Sequence, residues 1–170
     1  MFKIILVILI LCILIVFLLI NHYGYINYLK MPKNIFFFWD KGYDDLPDIG
    51  KICVQSWKKL NPEYRIIFLN KSNIYHFLDK KLLDEIWTKN QIQTQSDLIR
   101  INLLKKHGGI WVDMTVYCSV PLKKWLSYKM KSGLFLFKYR CNDCNDLGLA
   151  SWFIACNKNN YIIEEICEKY

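Results

Sequence analysis

The stretch Ser96-Asp97-Leu98-Ile99-Arg100, followed by Gly108-Gly109-Ile110-Trp111-Val112-Asp113-Met114-Thr115, decides the fold of this 170-residue chain. From Gln95 to Lys106 the apolar residues Leu98, Ile99, Ile101, Leu103 and Leu104 are spaced for a helix. Asp97 and Arg100 are three apart and share one of its faces, while Leu98 and Ile101 make another face for the core. Lys105, Lys106 and His107 fall in the last turn, where the helix dipole favours cations, and Gly108 supplies the left-handed residue that ends the helix. Ile110-Trp111-Val112 is too apolar to have a wet face, as expected of a strand in the middle of an α/β sheet. Asp113 then stands at the carboxyl end of that strand, where open α/β sheets bind ligands. The order can set a carboxylate, a guanidinium and a second carboxylate around one cleft.

Outward from this block the same alternation continues. The pattern predicts strand 35–38, helix 49–60, strand 65–69, helices 74–78 and 81–87, helix 95–106, strands 110–112, 133–137 and 151–155, and helix 161–168. Strands alternating with helices imply one α/β domain, 32–170, with a mainly parallel sheet. Hydrophobic residues make up 54% of the chain, enough for a packed core, and no repeat or low-complexity linker interrupts it.

The amino terminus carries a separate signal. Ile4 to Ile20 is an unbroken apolar run of roughly 17 residues, at the short end of what spans a bilayer. It has no polar face, unlike a soluble core helix. Asn21-His22-Tyr23-Gly24-Tyr25 offers no good A-x-A cleavage site, which favours an uncleaved anchor over a signal peptide. The reading is a single-pass transmembrane helix, 1–21, then a short stem, 22–31, whose Tyr23, Tyr25 and Tyr28 suit the headgroup belt. Lys3 and the free amine oppose Lys30 and Lys33, so charge counting mildly favours a cytosolic domain.

Three segments resemble a known family. They are Pro32-Lys33-Asn34-Ile35-Phe36-Phe37-Phe38-Trp39; Ser56-Trp57 with Asn61-Pro62-Glu63-Tyr64-Arg65; and the block from Ser96 to Pro121, ending Val116-Tyr117-Cys118-Ser119-Val120-Pro121. The chain resembles the Asp-x-Asp-motif sugar transferases, similar to glycosyltransferase family 32. That group includes initiating mannosyltransferases, lactosylceramide galactosyltransferases and capsular polysaccharide synthesis proteins. The resemblance implies a GT-A-like nucleotide-sugar-binding fold. It also implies a membrane-anchored, metal-dependent, retaining hexosyltransferase with a glycan, polysaccharide or lipid acceptor. Trp39 would stack on the base of a UDP- or GDP-sugar, Asp97 and Arg100 would hold its sugar, and Trp111 would line the same pocket. Asp113 would be the first aspartate of the motif and a ligand of manganese, with magnesium as the alternative. Thr115 stands where many members have the second aspartate, a change the capsular branch tolerates. It weakens the metal site, because a hydroxyl lacks the charge of a carboxylate. Asp113 together with the donor's diphosphate can still hold the ion. Eukaryotic members sit in Golgi-type membranes. Catalytic domains of the family are usually longer, so the chain is expected to be either a minimal version or a C-terminally incomplete one. A non-catalytic remnant that binds a nucleotide sugar, a glycan or a partner protein is the other reading.

Each site residue also has a purely structural reading. Asp97 and Arg100 could form a surface ion pair, Asp113 could cap a turn, and Trp39 could belong to the core. The net charge of +8 suits an anionic nucleotide sugar, lipid surface or polysaccharide. The basic residues are scattered without a nucleic-acid motif, so nucleic acid is not an expected partner. Of seven cysteines only Cys141 and Cys144 have metal-like or redox-like spacing. A lone pair of this kind, with no histidine nearby, points to a local disulfide or to free thiols before zinc. Asn142, Asp143, Asn145 and Asp146 make a turn or border the acceptor site.

Overall fold

A computed structural model describes residues 2–89, 91–138 and 148–169. Helix α1 (Phe2–Lys30) leads into strand β1 (Asn34–Phe38), helix α2 (Asp48–Leu60) and strand β2 (Arg65–Leu69). Helices α3 (Lys80–Trp87) and α4 (Ile92–His107) follow, then strands β3 (Gly109–Val112), β4 (Leu134–Lys138) and β5 (Leu149–Cys156), and helix α5 (Tyr161–Lys169). The stretch expected as a helix at 74–78 is instead a 3-10 turn, Ile74–His76. There the Asn70 carboxamide oxygen accepts from the Ser72 and Asn73 amides and closes the chain too tightly for an α-helix.

The five strands lie in the order β2-β1-β3-β5-β4. β1 pairs in parallel with both β2 and β3, whereas β5 pairs antiparallel with both β3 and β4. The sheet is therefore mixed, not mainly parallel as the alternation of elements suggested. The reason is local: only ten residues join β4 to β5, too few for a parallel crossover, so β5 returns antiparallel. The chain leaves β1 to one side for β2 and to the other for β3. The carboxyl ends of β1 and β3 thus flank a topological switch point, the position where such sheets bind ligands.

Alternation within the strands builds two cores. Ile35, Phe37, Ile110, Val112, Phe153 and Ala155 face Val54 and Trp57 of α2. Phe36, Trp111, Ile154 and Cys156 face Leu83 and Ile86 of α3, Ile99, Leu103 and Leu104 of α4, and Ile163 of α5. Burial on both faces is why β1 and β3 are continuous apolar runs. The α4 face differs from expectation. Ile99, Leu103 and Leu104 are its fully buried residues, with Leu98 and Ile101 packed only at the margin. Gly108 ends the helix at φ 63° and ψ −167°, a region that only glycine occupies readily, and a Cβ there would lie 2.6 Å from the Lys158 amide nitrogen.

Helix α1 is one continuous helix through the segment expected as a stem. Its apolar part, at a mean hydropathy of 3.6, is long and apolar enough to cross a membrane and touches nothing else in the fold. Its last turns do pack on the domain. Tyr28 and Met31 are buried, the Tyr64 hydroxyl donates to Tyr28 Oη at 3.2 Å, and Asn27 Nδ2 donates to the Lys131 carbonyl at 3.1 Å.

The Ser56-Trp57 and Asn61 motif has a structural task. Trp57 Nε1 donates to the Val116 carbonyl at 2.7 Å, and Ser56 Oγ accepts from the Cys118 amide at 2.9 Å. Asn61, fully buried, accepts from the Leu122 amide at 2.7 Å. These three side chains pin the strap 116–122 to α2. Asn61→Ala leaves the Leu122 amide unpaired, so the expected loss is about 2 kcal/mol of stability. Thermal melts of the full chain in detergent would show a transition lower by roughly 5 °C; an unchanged melting point would mean the strap is held by other contacts.

Candidate active site

The six residues singled out in the sequence meet in one place. Trp39, Asp97, Arg100, Trp111, Asp113 and Thr115 all line a cleft of about 690 Å³ at the carboxyl ends of β1 and β3. Trp39 follows β1 directly and Asp113 follows β3 directly, while α4 brings Asp97 and Arg100 alongside. The volume is within the range of small-ligand sites.

Arg100 is the centre of the geometry. Its side chain is 6% exposed, and Nη2 lies 3.2 Å from Asp113 Oδ1. Nη1 lies 3.2 Å from Asp97 Oδ1; both carboxylate contacts are ion pairs, while Nη2 donates its hydrogen bond to Ser96 Oγ at 3.3 Å. The Trp111 ring sits under the guanidinium, 5.2 Å from Cζ to the ring centre, and its Nε1 donates to Asp113 Oδ1 at 2.7 Å. Asp113 is therefore held through one oxygen by an indole and a guanidinium, with a third of its side chain open to the cleft. The surface-pair reading of Asp97 and Arg100 does not describe this arrangement, because Arg100 is buried and reaches a second carboxylate. Nor does Asp113 cap a turn through its side chain: its backbone carbonyl accepts from the Val116 amide at 3.0 Å, closing the turn that carries Met114 and Thr115.

Buried polar atoms point the same way. Among the described residues, Trp39 Nε1, Arg100 Nε, Arg100 Nη1 and Asn157 Oδ1 are the buried side-chain atoms without a hydrogen-bond partner. The first three are N–H donors of residues lining this cleft. Buried donors are normally satisfied, so three without a hydrogen bond in the walls of one cleft, Nη1 among them with only its ion pair to Asp97, suit a ligand rich in acceptor oxygens.

The metal expectation meets a sparse donor set. No cluster of three His, Cys, Asp or Glu side chains exists among the described residues. The cleft offers the free oxygen of Asp113 and the hydroxyl of Thr115, which fits an ion that takes its other ligands from substrate phosphates and water. The cleft also takes in Asp40, Lys41, Ser96 and Ser151, which the sequence did not single out. Asp40 and Lys41 were findable from their place after β1, whereas Ser151 opens a stretch, Ser151–Ala155, that resembles a family strand near the active centre, and only the antiparallel pairing of β5 gives it a place in the cleft. Cys141, Cys144 and the polar loop Asn142, Asp143, Asn145 and Asp146 lie outside the described residues. Cys53, Cys118 and Cys156 are buried free thiols remote from this chemistry. Burial raises all three, with Cys156 pushed up to about 12.

Comparison with known proteins gives the family and the fold. The profile of the capsular polysaccharide synthesis protein family matches residues 20–170, and the chain belongs to that family. It is similar to the O-glycosyltransferase braB of Annulohypoxylon truncatum, 29% identical over 93 residues, 48% of this chain and 22% of that protein. The glycosyltransferase afumC of Aspergillus fumigatus is 30% identical over 107 residues, 55% of this chain and 27% of that protein. An uncharacterised glycosyltransferase, L373, of Acanthamoeba polyphaga mimivirus is 28% identical over 113 residues, 60% of this chain and 45% of that protein. These matches span from about a fifth to under half of the relatives' own length. Among solved structures, the PaToxG glycosyltransferase superposes with a TM-score of 0.60 at 17% identity, covering 88% of this chain and 65% of that one. The chain has the fold of that glycosyltransferase.

Removing the buried cation tests the site's internal order. Arg100→Met is expected to cost about 2 kcal/mol, the scale of a lost hydrogen bond to a charged group. Asp97→Ala, which removes an exposed pair partner, is expected to cost under about 1 kcal/mol. Equal losses in denaturant titrations would show that Arg100 is not the common anchor.

Proposed function

We propose that this member of the family is the donor-binding core of a membrane-anchored glycosyltransferase, moving a hexose from a UDP- or GDP-sugar to a glycan, polysaccharide or lipid acceptor. The observation that carries the proposal is the set of buried N–H donors without hydrogen-bond partners beside a carboxylate held through one oxygen, at the switch point of a glycosyltransferase fold. A nucleotide sugar is rich in the acceptor oxygens that Arg100 Nε and Trp39 Nε1 lack. In a GT-A-like reading, Trp39 stacks on the base and Asp97 with Arg100 positions the hexose hydroxyls, while Trp111 walls the pocket. Asp113 and the Thr115 hydroxyl hold the divalent ion, manganese or magnesium. When bound, that ion offsets the charge of the diphosphate as it leaves.

The protein's own part in the step is placement and charge. Arg100, fixed between two carboxylates, needs no reorganisation to meet a developing negative charge, and such preorganisation is the main source of transition-state stabilisation. Asp113 is assigned to the metal and Asp97 to the sugar in this reading, which leaves no carboxylate assigned as the nucleophile of a double displacement. Retention is what the family resemblance implies, and attack on the donor's front face is the route that achieves it without such a nucleophile. Thr115 in place of a second carboxylate favours a second reading, a module that binds the nucleotide sugar without transferring it.

Calorimetric titration of the full chain in detergent with UDP and GDP, with and without manganese, separates these readings when paired with donor hydrolysis. The expected result is metal-dependent nucleotide binding that Asp113→Ala abolishes, with slow hydrolysis of the matching sugar nucleotide. Binding without hydrolysis or transfer supports the non-catalytic module. No binding by a folded chain overturns both. A finer variant, Trp111→Phe, keeps the ring and removes the donor to Asp113, and is expected to weaken manganese affinity by roughly 10- to 100-fold, as lost outer-shell partners do.

A further inference from the structure

Helix α1 has two surfaces of different kinds. From Ile4 to Ile20 its large apolar side chains are exposed on every side and nothing in the fold covers them. A run of roughly 17 helical residues is about 26 Å long, close to the thickness of a hydrocarbon layer. Beyond it the same helix is docked. A Cβ built on Gly24 would lie 3.3 Å from the Ser127 carbonyl oxygen and 3.6 Å from Lys131 Cγ, and Asn27 Nδ2 donates to the Lys131 carbonyl at 3.1 Å. Gly24 is four residues past Ile20, roughly 6 Å along the axis, which is the depth of lipid headgroups. The segment 121–132, a hundred residues away in sequence, is thus clamped at the level where the helix would leave a bilayer.

The composition of that segment fits the place. Lys123, Lys124, Lys129 and Lys131 are all exposed, and Tyr128 is 56% exposed. None of the four lysines forms an ion pair among the described residues. Between Asp113 and Asp143 the sequence holds no acidic residue. Tyr23 and Tyr25 add exposed aromatic rings at the same depth.

We propose that segment 121–132 is a membrane-contact surface whose four lysines bind the phosphates of anionic phospholipids, with Tyr128 seated among the headgroups. The proposal rests on α1 spanning the membrane. Each lysine near an anionic surface contributes roughly fivefold to association. Because α1 is continuous to Lys30 and bonded to the domain through Asn27 and Tyr28, this second contact fixes the attitude of the domain. A domain on a loose stem would tumble. The active-site cleft then stands at one height and angle above the lipid.

The test uses the full chain in nanodiscs of neutral phosphatidylcholine, or of the same lipid with phosphatidylglycerol. Two photoactivatable lipids report contact, one reactive in the acyl chain and one at the headgroup, with labelled peptides mapped by mass spectrometry. The acyl probe is expected to label 4–20 in both discs. The headgroup probe is expected to label 121–132 in anionic discs, and several-fold less in neutral discs. It should fall equally in the quadruple variant Lys123→Glu, Lys124→Glu, Lys129→Glu, Lys131→Glu. The control pair Lys80→Glu, Lys81→Glu on α3 is expected to change nothing, and circular dichroism confirms that both variants fold. Labelling of 4–20 without labelling of 121–132, or labelling indifferent to lipid charge and to the quadruple variant, overturns the proposal. Failure to label 4–20 overturns the anchor reading and the proposal with it. No readout depends on sugar transfer, so loss of the proposed activity would leave the result standing.

Discussion

A buried guanidinium is costly unless it is paired, and the candidate site is organised around that constraint. Arg100 lies 6% exposed at the edge of the core, reaching Asp113 after β3 and Asp97 on its own helix. Its neutralisation ties α4 to the sheet where β1 and β3 diverge. Trp111 completes the arrangement from β3: its ring covers the guanidinium and its indole N–H holds the Asp113 oxygen that Arg100 also contacts. The free face of Asp113 is what remains for a ligand, and its direction is set by these two neighbours.

A second set of buried polar contacts governs what comes after Asp113. The strap 116–122 carries no regular secondary structure until the 3-10 turn that begins at Leu122, and its backbone groups must find partners elsewhere. Ser56, Trp57 and Asn61 supply them from a single helix. The turn bearing Thr115 is therefore braced on one side by β3 and on the other by α2. A motif that looks chemical in the sequence, with its serine, tryptophan and asparagine, is in the structure a device for holding backbone.

The same economy couples the first helix to the domain. Glycine at position 24 lets the helix approach the Ser127 and Tyr128 carbonyls, and Asn27 donates to a carbonyl of the same loop. Lys33 lies over the Tyr28 and Tyr64 rings, 3.8 Å and 4.8 Å from their centres, and burial lowers its pKa. The end of an apolar helix is thus packed and hydrogen-bonded onto a polar domain, where the sequence had suggested a stem.

Much of the site was legible in the sequence because it lies on short, strongly patterned elements. The i, i+3 spacing placed Asp97 with Arg100, the glycine pair ended α4, and the apolar run before Asp113 marked a central strand. Trp39 was legible for the same reason, standing directly after β1. What the sequence left open depended on pairing at long range. It did not show that β5 enters between β3 and β4, since a connection too short for a crossover reverses a strand only once the sheet exists. It did not show which face of α4 is buried, because Leu98, Ile99, Ile101, Leu103 and Leu104 run round the helix and the neighbouring strands choose among them. Periodicity and end signals by themselves determined which residues stand at the strand ends. Tertiary structure decided that Arg100 is buried, that Asp113 keeps one oxygen open and that residues 121–132 sit against α1, because burial and hydrogen-bond satisfaction are properties of the packed chain and not of any local segment.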